Sequence, residues 1–258
     1  MKRKMQVTHI QTKDLVVSYP APDGGILMAL GAISMTVNRG EFVAIVGTSG
    51  CGKSTLIRVL AGLQQPSQGV ALLDDEPITR PSAKVGVMFQ NANLLPWRTV
   101  IDNIALPLEL AGIKKGERAE MARELTPLLG LSGFENAHPS SLSGGMAQRV
   151  ALGRVLIQRP EVLLLDEPFG ALDALTREKM SLELLGMWGR DQQTTIMVTH
   201  SISEAVLLAD RVLVFSRRPG KIIAEIPVML PRPRRPEMLY DPIFTELTRQ
   251  VRSAIDIT

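Results

Sequence analysis

Cysteine is nearly missing from the 258 residues: Cys51 stands alone, so no intrachain disulfide forms and nothing in the chain depends on an oxidising compartment. A reducing cytoplasm is the expected setting. An excess of charge is also lacking, since 29 Lys and Arg face 26 Asp and Glu, and a net charge of +3 is too small to argue for a nucleic-acid partner. Long apolar runs are absent as well. Stretches such as 162–165 and 212–215 end after a few residues, far short of the roughly 20 needed to cross a bilayer. Any membrane role is therefore expected to come through a partner. Residues 1–10 are basic but lead into Gln11, Lys13 and Asp14 instead of an apolar stretch, so no secretory signal is expected.

What is present is an ordinary globular composition, 45% apolar and 21% charged, in a length that suits one large α/β domain carrying an insertion. The continuous apolar segments 42–46 and 162–165 predict strands buried on both faces of a parallel sheet. The β-branched run 194–199 follows a helix-like stretch, 174–188, and 212–215 predicts a fourth strand. Residues 12–19 and 32–37 alternate in part and are separated by Pro20, Pro22, Gly24 and Gly25, which predicts an antiparallel hairpin in a separate β layer. Helical spacing dominates between Thr99 and Arg159, with helices expected over 117–129 and over 144–157, the latter capped by Ser143. The expected division is a domain over 1–220, with a helical subdomain inserted at about 91–160, and a C-terminal extension over 221–258. The Pro- and Arg-rich stretch beyond Pro219 reads as a solvated linker before a short helix over 241–255, because no aromatic residues interleave with its charges.

Three motifs carry chemistry. Gly47, Thr48, Ser49, Gly50, Cys51, Gly52, Lys53 and Ser54 match G-x-x-x-x-G-K-[ST] between an apolar strand and a helical run beginning at Thr55. Glycines let backbone N–H groups converge on phosphate oxygens, Lys53 adds a fixed positive charge, and Ser54 offers an oxygen to Mg²⁺. Asp166 and Glu167 end the strand at 162–165. Asp166 is placed to hold the metal, and Glu167, on the opposite face, to polarise a water for attack on a γ-phosphate. Leu142, Ser143, Gly144, Gly145 and Met146, followed by Gln148 and Arg149, open a helix with a glycine pair whose free N–H groups form a second anion-binding end. A small-molecule kinase would use the first motif but has no need of the third.

On these residues the chain resembles the ABC transporter ATPases, and the resemblance runs over nearly its whole length. It implies a P-loop NTPase core of RecA type with an antiparallel β subdomain and an inserted α-helical subdomain, and ATP and Mg²⁺ as cofactors. It also implies a homodimer in which the Ser143–Gly144–Gly145 end of one copy closes over nucleotide held by the other. Residue by residue, Tyr19 matches the aromatic that stacks on adenine, and Thr55 joins the nucleotide contacts. Gln90 matches the glutamine that senses metal and water and links the site to the membrane partner. Asp173, in Gly170–Ala171–Leu172–Asp173, matches the loop that touches the opposite subunit, and His200 the histidine on the γ-phosphate. The chain departs from the family pattern at Met146, where glutamine is commonest, and at Gly170, where serine is usual; neither removes a phosphate ligand.

Asn93 to Thr99 and Arg218–Pro219–Gly220–Lys221, with Pro231, Arg232 and Pro233, resemble the nitrate, sulfonate and taurine importer branch. That branch implies a membrane permease, an indirect solute-binding protein, and a place on the cytoplasmic face of the membrane. Trp97 is either a permease contact or a buried core tryptophan. A non-transport ABC ATPase and the motor of a different transporter remain the alternatives.

Overall fold

Phe42–Val46, Val162–Asp166 and Thr194–Val198 are buried at every position, as strands covered on both faces must be. They belong to a computed structural model that describes residues 7–21, 24–170, 172–191 and 193–256, with side chains left out at 187–191. Residues 1–6, Pro22, Ala171 and the side chain of Trp188 therefore lie outside the described residues. In chain order the elements are β1 (Thr8–Pro20), β2 (Ile26–Asn38), β3 (Phe42–Val46), α1 (Lys53–Leu60), β4 (Gln68–Leu73), β5 (Glu76–Pro77), β6 (Val85–Met88), α2 (Val100–Ile104), α3 (Leu106–Leu110) and α4 (Lys115–Leu125). The second half holds α5 (Gly144–Leu156), β7 (Val162–Asp166), α6 (Ala174–Asp191), β8 (Thr194–Val198), α7 (Ile202–Leu208), β9 (Arg211–Phe215), β10 (Ile222–Pro227) and α8 (Pro242–Asp256).

Two sheets result. The core sheet runs β10-β9-β3-β8-β7-β6, parallel except for the antiparallel β10, and the second sheet runs β2-β1-β4-β5, all antiparallel. The period-2 geometry of a strand explains how one sheet serves two cores. Phe42, Ala44 and Val46 of β3 face the helices, while Val43 and Ile45 face the antiparallel sheet and α1. The expected hairpin is present as β1 paired with β2.

The inserted segment is built around α5, which Ser143 caps by accepting from the Met146 N–H at 3.2 Å. The helix expected over 117–129 ends at Leu125, because Thr126 to Leu131 turn back on themselves through Leu129 N–H to Leu125 O, Gly130 N–H to Pro127 O and Leu131 N–H to Thr126 O.

The expected solvated linker is not what forms. Beyond residue 220 the chain adds β10 to the core sheet, so the division at 220 falls inside that sheet. Arg234 is then buried, donating to the carbonyls of Val206, Leu207 and Ala209 at 3.0, 2.9 and 2.7 Å. Arg232 donates to Leu208 O at 2.7 Å and to Asp210. Carbonyls at the end of a helix need donors, and a guanidinium supplies several from a fixed plane. Burial, with Arg232 adding, lowers the Arg234 pKa to about 10, which leaves it charged at neutral pH.

The two sheets are also tied by a charge cluster. His9 on β1 is 1% exposed, its Nδ1 lies 2.6 Å from Thr194 Oγ1, and its Nε2 lies 3.7 Å from Asp74 and 3.8 Å from Glu161. Arg39 pairs with both acids, and Lys84 lies 3.4 and 3.7 Å from them. Burial, and then Arg39, hold the imidazole below the ordinary value of 6.5. As pH falls below that value, the unfolded chain takes a proton that the folded chain refuses, so stability is full above it and declines beneath it. The pKa values of Asp74 and Glu161 lie below their ordinary 3.8 and 4.5, so their share is lost only at more acid pH. Urea midpoints are expected to fall between about pH 7 and pH 5, and to fall less in a His9→Asn variant; equal slopes would remove His9 from the account.

Candidate nucleotide site

The phosphate loop leaves the buried end of β3 and enters α1 through Gly52, whose φ of 104° and closeness to Ala29 O, 2.6 Å from where a Cβ would sit, exclude a side chain. Lys53 begins α1 and is buried, its ammonium donating to Gly47 O at 2.8 Å and Thr48 O at 2.9 Å. The loop is thus curled around its own lysine. Cys51 is buried beneath it, its sulfur 3.7 Å from Lys53 Nζ. Beside the loop lies a cleft of about 380 Å³. Tyr19, Ser49, Gly50, Gly52, Lys53, Ser54, Thr55, Gln90, Glu167 and Arg218 line it. At one wall the Tyr19 hydroxyl donates to Gln64 Oε1 at 2.8 Å and lies 3.4 Å from Thr55 Oγ1.

At the other wall β7 delivers both acids. Ser54 Oγ donates to Asp166 Oδ1 at 3.1 Å. Burial raises the Asp166 pKa, and the charge of Glu167 adds to this against the Ser54 hydrogen bond. Glu167 has φ of 49°, and its N–H donates to Val198 O at 2.9 Å, which swings its carboxylate out of the strand. That carboxylate accepts from Gln90 Nε2 at 3.1 Å, and the same oxygen lies 3.3 Å from His200 Nδ1. His200 thus rests against the acid. Gln90 is held from behind as well, since its carbonyl accepts from Gln148 Nε2 of α5 at 2.7 Å.

Ser143, Gly144, Gly145 and Asp173 are not part of this cleft. They form a second cluster, in which a Cβ on Gly145 would lie 2.7 Å from Leu172 Cδ2, and Asp173 caps α6 by accepting from Thr176 N–H at 3.0 Å. Asp173 sits below the ordinary carboxylate range because of its hydrogen bonds from the Thr176 hydroxyl and N–H.

Reasoning from motifs missed one part of the site. Arg218 to Lys221, in sequence only a mark of the importer branch, belong to a turn that backs the phosphate loop. Arg218 Nε donates to Gly50 O at 3.0 Å, Gly220 N–H to Ala29 O at 2.9 Å, and Gly31 N–H to Gly220 O at 3.0 Å. A Cβ on Gly220 would lie 2.1 Å from Cys51 O. Beyond the importer-branch resemblance, the sequence signal was a Pro–Gly turn five residues after the end of a predicted strand.

The ABC transporter family pattern matches residues 30–170, which holds the phosphate loop, the Ser143 helix and both acids. The chain belongs to this family. It is 49% identical over 212 residues to an uncharacterized ABC transporter ATP-binding protein of Methanocaldococcus jannaschii, covering 82% of this chain and 79% of that one. It is 43% identical over 248 residues to the taurine import ATP-binding protein TauB of Rhizobium johnstonii, covering 94% of each. Among solved structures, a dimeric ATP-binding cassette in a post-hydrolysis state with ADP and Pi superposes with a TM-score of 0.78 and 31% identity, over 86% of this chain and 99% of that one. The chain is an ABC ATPase, and its two-sheet core with an inserted helical segment is the P-loop NTPase fold expected of one.

Because Gly220 leaves no room for a side chain against Cys51 O, Gly220→Ala is expected to push the phosphate loop and weaken binding of a fluorescent ATP analogue at least tenfold, about 1.4 kcal/mol, although it lies outside the three motifs that carry chemistry. Unchanged affinity would mean that the loop absorbs the shift.

Proposed function

We propose that two copies of this chain bind two MgATP molecules between them, and that closure and hydrolysis drive uptake of a small anionic solute, such as nitrate, a sulfonate or taurine, through a membrane permease. The observation that carries this reading is the separation of parts. Each chain holds a complete phosphate cleft and, apart from it, a glycine-rich helix end fitted to an anion, so neither is used fully unless a second copy brings its helix end to the first copy's cleft. The dimeric cassette superposed above supports the pairing.

Ser54 Oγ, the Asp166 carboxylate and the Gln90 side chain are the hard oxygen donors that suit Mg²⁺, and a cation there would offset the burial that raises the Asp166 pKa. When bound, Mg²⁺ would neutralise charge on the phosphates. Lys53 turns from its carbonyls to the β- and γ-phosphates, and Tyr19 takes the adenine. Glu167 is the general base. Gln90 and His200 converge on one of its oxygens, which fixes its orientation and leaves the other to accept a proton from the attacking water.

Among the described residues no helix is long and apolar enough to cross a membrane, so attachment to the cytoplasmic face comes through the permease. Trp97, 71% exposed in the segment after Gln90, is not the buried core residue that was the alternative, and this favours the permease contact. The solute class follows the names of relatives for taurine, nitrate and aliphatic-sulfonate import, and the solute itself would be selected by the permease and a solute-binding protein.

Glu167→Gln is expected to keep ATP binding and to lose about 100- to 10,000-fold in kcat, and Lys53→Ala to lose tight binding. In a mixture of Glu167→Gln and Ser143→Arg chains, part of the activity should return, because one of the two shared sites then combines an intact cleft with an intact helix end. Full activity in Glu167→Gln sinks the base assignment, and absence of regain in a proven dimer sinks the shared sites.

A further inference from the structure

One ion pair touches both loops that flank the site. Glu204 on α7 is buried, and its Oε1 lies 3.3 Å from Arg177 Nε on α6. Its other oxygen accepts from the Thr199 hydroxyl at 2.6 Å. Thr199 immediately precedes His200, and the same hydroxyl accepts from Ser201 N–H at 3.0 Å, so the Glu204 contact holds the backbone on both sides of the histidine. At the far end, Arg177 Nη2 donates to Leu172 O at 2.9 Å. Leu172 precedes Asp173, and its side chain abuts Gly145 at the head of α5.

We infer that Arg177 and Glu204 are positioning residues for the reaction, locking the loop that carries His200 to the loop that carries Asp173. This rests on the reading of the cleft as an ATP-hydrolysing site in which His200 orients Glu167. The chain of contacts is continuous: α5 head, Leu172, Arg177, Glu204, Thr199, His200, Glu167. A second copy that presses on Asp173 or on the helix end therefore moves the group that orients the base. Neither Arg177 nor Glu204 lines the cleft, so both act through the loops and leave nucleotide binding to the phosphate loop. A buried carboxylate is costly, and burial raises the Glu204 pKa, with the Thr199 hydroxyl and then Arg177 acting against it.

The test compares the full-length wild type with Arg177→Lys, Glu204→Gln and the double variant Arg177→Met/Glu204→Gln, measuring melting temperature, affinity for a fluorescent ATP analogue, and kcat and KM for MgATP. Arg177→Lys keeps the charge opposite Glu204, but an ammonium lacks the planar fork that reaches Leu172 O at the same time. The double variant removes both charges and so avoids leaving one buried alone. The expected result is wild-type nucleotide affinity and KM with kcat lowered about 10- to 100-fold in Arg177→Lys and in the double variant. Wild-type kcat in these two variants overturns the inference. So does a fall in kcat that merely follows losses of affinity or melting temperature, since that is the mark of a structural pair. If the wild type itself bound no MgATP, or Lys53→Ala bound it equally well, the underlying reading of the cleft would fail instead.

Discussion

The structure turns on an ammonium group held where solvent barely reaches. Lys53 is buried against the carbonyls of Gly47 and Thr48, and a lone charge in that position is unfavourable unless oxygen atoms surround it. The phosphate loop must therefore wrap the lysine tightly, which requires backbone that only glycine adopts at Gly52, a strand end with no spare room at Gly47, and a rigid support behind Cys51. The core sheet provides the strand end and the Ser216 to Lys221 turn provides the support. Phosphate oxygens are a better partner for the ammonium than peptide carbonyls, so the site is folded around the charge it is meant to meet.

The same logic orders the acids. Asp166 and Glu167 are adjacent on the chain, yet the strand period and the positive φ of Glu167 send them to different surroundings. Asp166 goes inward to Ser54, where burial raises its pKa and makes a cation welcome. Glu167 goes outward into the grip of Gln90 and His200. Two like residues thus reach two different surroundings.

Much of this was legible from residues whose roles are local. Short apolar and β-branched runs marked β3, β7, β8 and β9 of the core sheet but not its edge strands β6 and β10, while Ser143 marked the start of α5 and the phosphate motif its own position, because each depends on neighbours in sequence. Parts that depend on distant chain were not readable. Arg234 looked like a solvated charge because nothing nearby in sequence reveals the bare carbonyls at the end of α7, 25 to 28 residues earlier. Gly220 looked like a turn because its crowding comes from Cys51, and Arg177 and Glu204 were silent because their meaning lies in the two loops they join.

How the helical insertion speaks to the site follows from the two ends of Gln90. Its side chain donates to Glu167, and its carbonyl accepts from Gln148 of α5. A hydrogen bond weakens steeply with length and angle, so a displacement of α5 of the order of 1 Å relative to the core sheet would strain one of these bonds. Gln90 cannot satisfy both in a shifted geometry. Ser143 lies at the head of that same helix, so under the proposed pairing an anion held there by a second copy would pull on the rod that holds Gln90. Glu167 is thereby held from two sides, through Gln90 by the inserted helix and through His200 by the loop that the Arg177–Glu204 pair supports. Under the proposed pairing both routes begin at the surface that a second copy covers, and hydrolysis would then depend on the partner without any partner group entering the contacts of Glu167.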